Sequence, residues 1–145
     1  MVTEMLIVLI LITTAVELNE IRENPTAHYK LMNNIDLTDW ITAYSPAEGW
    51  EPINGFKGSL DGNGFVISGF WIERPKTENI GLFGSLSGGT IKRTGLIIPD
   101  DKKIIRLKNV GAFVGQTPYS TTAIVIEECF EAVRLRLKLQ QQAVF

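Results

Sequence analysis

Asn79 to Gly84 reads NIGLFG, and the pattern returns as NVGAFVG over Asn109 to Gly115, about 30 residues later. Each copy is followed by a short loop and another β-rich run. The runs after the turns are FVISGFWI, TIKRTGLII and AIVIEECFEAV. They align so that Ile67, Ile91 and Ile126 fall at equivalent inward positions, with Phe70, Thr94 and Cys129 stacked three residues on. Repeated strands without helices between them can be antiparallel hairpins or turns of a solenoid. Hairpins predict pairing of each strand with the next and give no reason for a repeat, whereas a solenoid sets equivalent residues one above another at strand spacing. The repeat therefore favours an all-β solenoid of parallel strands, in which winding of the chain replaces the helical crossover of a flat sheet.

Working outward, FKGSLDGNGFVISGF (Phe56 to Phe70) has a strand-like run on each side of Asp61-Gly62 and Asn63-Gly64. These are turn formers: Asp and Asn bond their own backbone two residues on, and Gly admits conformations that a Cβ opposes. Asp61, Gly62, Asn63 and Gly64, with Gly88 and Gly89, are read as structural corners. Upstream, Thr14-Ala15-Val16-Glu17 has the form of a capping box, and Ala15, Leu18 and Ile21 make an apolar stripe that Asn24-Pro25 closes. One short helix is expected there. Tyr29, Leu31, Ile35 and Leu37 then alternate onto one side, with Asn33 the polar exception, as in a strand with a bend. The apolar run Met5 to Ile12 is too short for a membrane span. It reads as a buried strand, with a truncated signal peptide as the alternative.

At 145 residues and 45% apolar composition the chain has the size of one domain, residues 1–145. Residues 1–28 form its N-terminal strand and capping helix, 29–133 its repeated strands, and 134–145 a capping strand or tail. In that tail Val133, Leu135, Leu137 and Leu139 alternate with Arg134, Arg136 and Lys138. The pattern suits a last strand whose charges discourage end-to-end pairing. A net charge of −2 leaves no concentrated basic surface for nucleic acid. One cysteine, Cys129, excludes an intramolecular disulfide, and with one histidine, His28, there are too few soft ligands for zinc.

The ordered segments TAVELNEIRENPTAHYKLMNNIDL, WEPINGFKGSLDGNGFVISGFWI, NIGLFGSLSGGTIK and NVGAFVG resemble the GLUG-motif repeats of bacterial secreted and cell-surface proteins. Adhesin-like proteins and some immunoglobulin A-specific metallopeptidases carry such repeats. The resemblance covers roughly Thr13 to Val133 and implies a right-handed parallel β-helix in a secreted or cell-surface setting. Thr94 departs from it where an apolar residue is common, and Asn54 where glycine is.

Catalytic constellations are not evident. Glycoside hydrolysis needs two carboxylates flanking one bond, and Asp36, Asp39, Glu48, Glu51 and Asp61 would have to approach one another to supply them. Asp100-Asp101 with Asn109 matches no calcium loop, and His28 has no serine or cysteine partner indicated. No catalytic residue, metal or cofactor is assigned. The better candidate is DWITAYSPAEGWEPI, read as a loop leaving the repeats, because insertions of this kind carry binding. Trp40, Tyr44 and Trp50, with Asp39 and Glu48, would suit the faces and hydroxyls of a sugar. Trp50 is expected to pack under that loop, Trp40 either closes the core or meets ligand, and Trp71 has an exposed lateral face. The expected role is a non-catalytic adhesion, recognition or spacer module whose partner is a glycan or cell-surface ligand. A polysaccharide-processing enzyme or an end-to-end self-associating stalk is the alternative. Neither a transmembrane segment nor a nucleic-acid partner is expected.

Overall fold

A computed structural model describes residues 8–102, 104–105, 113–116, 124–133 and 143–144. Outside them lie Met5 to Ile7, Lys103, Asn109 to Ala112, Thr121-Thr122 and the alternating stretch Arg134 to Leu139. The described strands are β1 (Leu9–Ile12), β2 (His28–Leu31), β3 (Ile35–Asp36), β4 (Ser59–Asp61), β5 (Val66–Ser68), β6 (Ile72–Glu73) and β7 (Phe83–Ser85). They continue with β8 (Gly89–Lys92), β9 (Gly95–Ile98), β10 (Ile104–Ile105), β11 (Val114–Gln116), β12 (Ile124–Glu127), β13 (Phe130–Val133) and β14 (Ala143–Val144). Helices α1 (Ala15–Asn19) and α2 (Thr38–Tyr44) and a 3-10 turn at Glu20–Glu23 complete the described elements.

Consecutive strands mostly enter different sheets. One five-stranded sheet runs β1-β2-β4-β8-β12 with parallel pairing throughout. A second runs β3-β5-β9-β13, also parallel, with β14 antiparallel on the outer side of β13. β6 with β10, and β7 with β11, form two-stranded parallel sheets. The expected all-β right-handed parallel β-helix with one helix is corrected accordingly. The described chain has mixed α/β character, with four separate small sheets and two α-helices.

The second helix forms for local reasons. The Asp36 carboxylate accepts from the Thr38 amide at 2.9 Å and from its hydroxyl at 2.6 Å, satisfying a donor at the helix start. Leu37 and Ile41, one turn apart, are both buried. Ser45-Pro46 and Gly49 signalled a loop, but that loop begins only after Tyr44. In α1, Thr14 accepts from the Glu17 amide at 3.1 Å, and Glu17 reaches back to the Thr13 amide at 2.9 Å. Leu18 and Ile21 of the stripe are fully buried. Tyr29, Leu31, Ile35 and Leu37 all face the core, while Asn33 sits exposed at the bend and donates to Thr13 O at 2.9 Å.

The inward column of the first sheet is Ile10, Tyr29, Leu60, Ile91 and Ile126, as the register places them opposite one another. Ile67 instead faces Ile35 and Leu96 in the second sheet. The alignment of Ile67 with Ile91 slips by one strand because Gly64 closes the corner after β4 whereas Gly89 opens β8. Phe70 is likewise off the row of Thr94 and Cys129: its amide donates to Ile97 O, while Cys129 Sγ approaches Ile91 O. Thr94 is buried with its hydroxyl donating to Lys92 O at 2.9 Å, which removes the cost of a polar group at an apolar place. Trp50, Phe56, Phe70 and Phe83 fill the interior, with the Phe56 and Phe83 rings stacked at 4.4 Å. β1 is not a buried strand: Ile12 is buried, but Leu9 and Leu11 alternate onto the outward face beside His28 and Lys30, and Ile10 stays partly exposed because β1 ends its sheet.

The corner in the Phe56 to Phe70 stretch is shaped by its turn chemistry. Phe65 N donates to Gly62 O at 2.8 Å across Asn63 and Gly64, whose φ values are 54° and 82°. Positive φ at both central residues is the signature of a turn that usually closes a hairpin. Here β4 and β5 leave it into different sheets. Asp61 closes β4, its carboxylate accepting from the Asn63 amide at 2.8 Å and from Arg93 at 2.6 Å.

Candidate functional site

Helix α2 presents Trp40 and Tyr44 one turn apart, with ring centroids 4.2 Å apart and planes inclined by 36°. Trp40 is half-buried against the core, and Tyr44 is 71% exposed. The following segment Ser45 to Trp50 is gripped by Arg74. Its Nε donates to Trp50 O at 3.2 Å, Nη1 to Glu48 at 3.1 Å, and Nη2 to Ser45 Oγ at 3.1 Å and Gly49 O at 3.2 Å. Backbone bonds extend the grip: Trp50 N donates to Trp71 O, and Glu73 N to Glu48 O, both at 2.8 Å. Gly49 makes this approach with φ of 76°, and a Cβ there would press on the Trp71 backbone and ring.

A second guanidinium comes from the 3-10 turn. Arg22 donates to Asn19 Oδ1 at 2.8 Å and to Glu51 O at 2.9 Å, and it lies 5.6 Å from the Trp50 ring centroid. Burial lowers its pKa and the nearby Glu51 opposes that shift; a guanidinium stays charged at neutral pH regardless. Arg22, Trp40, Tyr44, Ser45, Glu51 and Arg74 thereby border a cleft of about 330 Å³. It offers aromatic faces beside donors and a carboxylate.

Of the residues singled out in the sequence, Trp40 and Tyr44 come together as a ring pair. Trp50 does not join them as a binding residue: it is 1% exposed, with Nε1 donating to Leu82 O at 3.1 Å. Burial of so large a side chain outweighs any surface role. Glu48 is occupied by Arg74, and Asp39 is exposed on the first turn of α2 outside the cleft walls. Trp71, expected on an exposed face, is 8% exposed, with the Lys102 ammonium 4.5 Å from its ring centroid. It belongs to a larger hollow of about 460 Å³ on the flank of α2 that holds Ile41 and Thr42.

Arg22 and Arg74 were missed by sequence reasoning, since each reaches the site from a distant part of the chain. The acidic side chains scatter among separate partners: Asp36 meets Thr38, Glu48 meets Arg74, Glu51 faces Arg22 at 4.0 Å, and Asp61 meets Arg93. His28 does have a serine beside it, contrary to expectation. Its Nδ1 lies 2.7 Å from Ser59 Oγ because parallel pairing sets the two residues opposite each other. Among the described residues, no three His, Cys, Asp or Glu side chains converge as a metal site, and no helix is long and apolar enough to cross a membrane.

Two longer proteins are similar to this chain. One, described as "Putative Gly-rich membrane protein" from Evansella cellulosilytica, is 36% identical over 111 residues, covering 72% of this chain and 12% of that protein. The other, "Halomucin" from Haloquadratum walsbyi, is 40% identical over 121 residues, covering 74% of this chain and 1% of that protein. The chain thus spans a small part of both relatives. No family model matches it, and no solved structure does.

Proposed function

We propose that this chain is a non-catalytic recognition module of a surface- or membrane-associated protein, and that it takes a carbohydrate ligand on the Trp40 and Tyr44 rings. The observation that carries the reading is the tilted ring pair at 4.2 Å on the border of a cleft lined by Arg22, Glu51 and Arg74. Amphipathic rings meet the C–H faces of a sugar, while donors and a carboxylate meet its hydroxyls. The names of the two relatives support the surface setting. The kinship with GLUG-motif repeats is part of the same proposal. The dispersal of the carboxylates supports binding over hydrolysis, which needs two of them across one bond.

A glycan and polysaccharide array tests the reading, with wild-type chain and the Trp40→Ala/Tyr44→Ala double variant side by side. Binding should fall about tenfold or more in the variant, since each ring contact is worth on the order of 1 kcal/mol. Tyr44 is mostly exposed and Trp40 is half-buried against the core, so circular dichroism of the double variant checks that it remains folded. Undiminished binding by the folded double variant would remove the ligand from this face. Release of shortened products from a polysaccharide would refute the non-catalytic assignment.

A further inference from the structure

The first sheet has apolar residues at both ends of its inward column. Along Ile10, Tyr29, Leu60, Ile91 and Ile126 the fractional exposure runs 37%, 3%, 0%, 0% and 46%. The middle three are sealed by a strand on each side, whereas β1 and β12 have no further strand partner among the described residues. β1 also carries none of the devices that usually protect a sheet edge. Its sequence is LILI, without lysine, proline or a bulge, and Leu9 and Leu11 beside the column are 47% and 48% exposed. The second sheet differs, because β14 covers the outer side of β13 at one end and Ile35 of β3 is already buried at the other.

We propose that β1 of one copy of this chain pairs in parallel with β12 of another, extending the first sheet from molecule to molecule. The occupant follows from strand direction. All four pairings within the sheet are parallel, so the free side of β1 matches the side that β4 presents to β2, or β8 to β4. The free side of β12 is its complement. A parallel β1 to β12 contact therefore repeats the geometry already present inside the sheet and closes both ends of the apolar column at once. Pairing of two β1 strands about a two-fold axis would run them antiparallel and leave Ile126 uncovered. The contact is head-to-tail, and such contacts give open-ended assemblies unless the rotation closes a ring.

The test uses two blocked versions of the full chain. Ile10→Lys places a charge on the β1 edge and Ile126→Lys places one on the β12 edge, both at sites already partly exposed. Sedimentation velocity should show the wild-type mass rising with concentration, each variant alone as a single chain, and an equimolar mixture as a two-chain species. The mixture is decisive because one variant retains a free β12 and the other a free β1. A wild-type chain that stays single at every concentration overturns the proposal. So does an Ile126→Lys chain that dimerises by itself, which would assign the contact to β1 pairing with β1. Circular dichroism checks folding, and if Ile10→Lys unfolds, the Leu9→Lys/Leu11→Lys variant blocks the same edge from residues beside the column.

Discussion

Three glycines separate the two ways in which a missing Cβ holds this fold, and alanine at each should give a graded series. Gly64 has φ of 82° and open space where a Cβ would go, so Gly64→Ala tests backbone conformation alone. Its cost should be about 1 kcal/mol, that of an L-residue in the left-handed region. Gly58 lies outside the left-handed region, but a Cβ there would sit 2.8 Å from the Ala27 carbonyl carbon and closer still to its oxygen. Relief requires the chain at the start of β2 and β4 to separate by about 1 Å or more, weakening the Ser59 N to Ala27 O bond of 3.2 Å and loosening the packing beneath. Gly58→Ala should therefore cost about 3 kcal/mol, within the range reserved for core overpacking. Gly89 combines both problems: φ is 88°, and a Cβ would sit 2.8 Å from Lys57 O and nearer to Gly58 O. Gly89→Ala should cost about 4 kcal/mol, the sum of the two effects. Urea denaturation provides the assay, with midpoints compared at constant slope. If Gly58→Ala costs no more than Gly64→Ala, close approach of the stacked backbones does not explain the glycines.

Other outcomes follow from the ion pairs. Arg74→Met should destabilise by about 2–3 kcal/mol and speed amide exchange at Trp50 and Glu73, since removing a charged donor leaves several acceptors of the Ser45 to Trp50 segment unpaired; unchanged exchange there would remove Arg74 as the clamp. Partial burial raises the Asp61 carboxyl pKa, but the Asn63 amide, the Arg93 guanidinium and the Lys92 charge together outweigh it and hold the pKa below the ordinary value. The resulting stabilisation is present above the unfolded carboxylate pKa of about 4 and is lost as pH falls through the folded value. Asp61→Asn should flatten that acid limb, and urea midpoints measured across it would show an unchanged slope if the pairing is inconsequential. Burial pushes the Cys129 thiol up, so a thiol reagent at neutral pH should modify it slowly in the folded chain and quickly in urea; equal rates would place the thiol at the surface.

Much of the local structure was legible without coordinates. The Thr14 and Glu17 pair marks the start of α1, and the alternation from Tyr29 to Leu37 predicts which side chains face inward. These depend on neighbours in the chain, whose spacing is written in the sequence. The repeat showed that strands would meet distant equivalents, but not which Gly-rich corner belonged to which strand. Ile67 was consequently set level with Ile91, although its partners are Ile35 and Leu96. Helix α2 was hidden because its evidence is slight: one Asp36 side-chain bond to the Thr38 amide and the pair Leu37 and Ile41, overshadowed by the turn residues that follow.

Residue type alone therefore determined the turn at Asp61 to Gly64, the first helix and the apolar faces, because hydrogen-bonding reach and Cβ sterics act within a few residues. Only the tertiary structure decided what became of the aromatic side chains. Trp40 and Tyr44 meet because α2 brings them one turn apart, Trp50 is buried in the core, and Arg22 and Arg74 converge from distant segments. Burial and long-range ion pairing depend on which surfaces the chain folds together, and neither local spacing nor residue type carries that information.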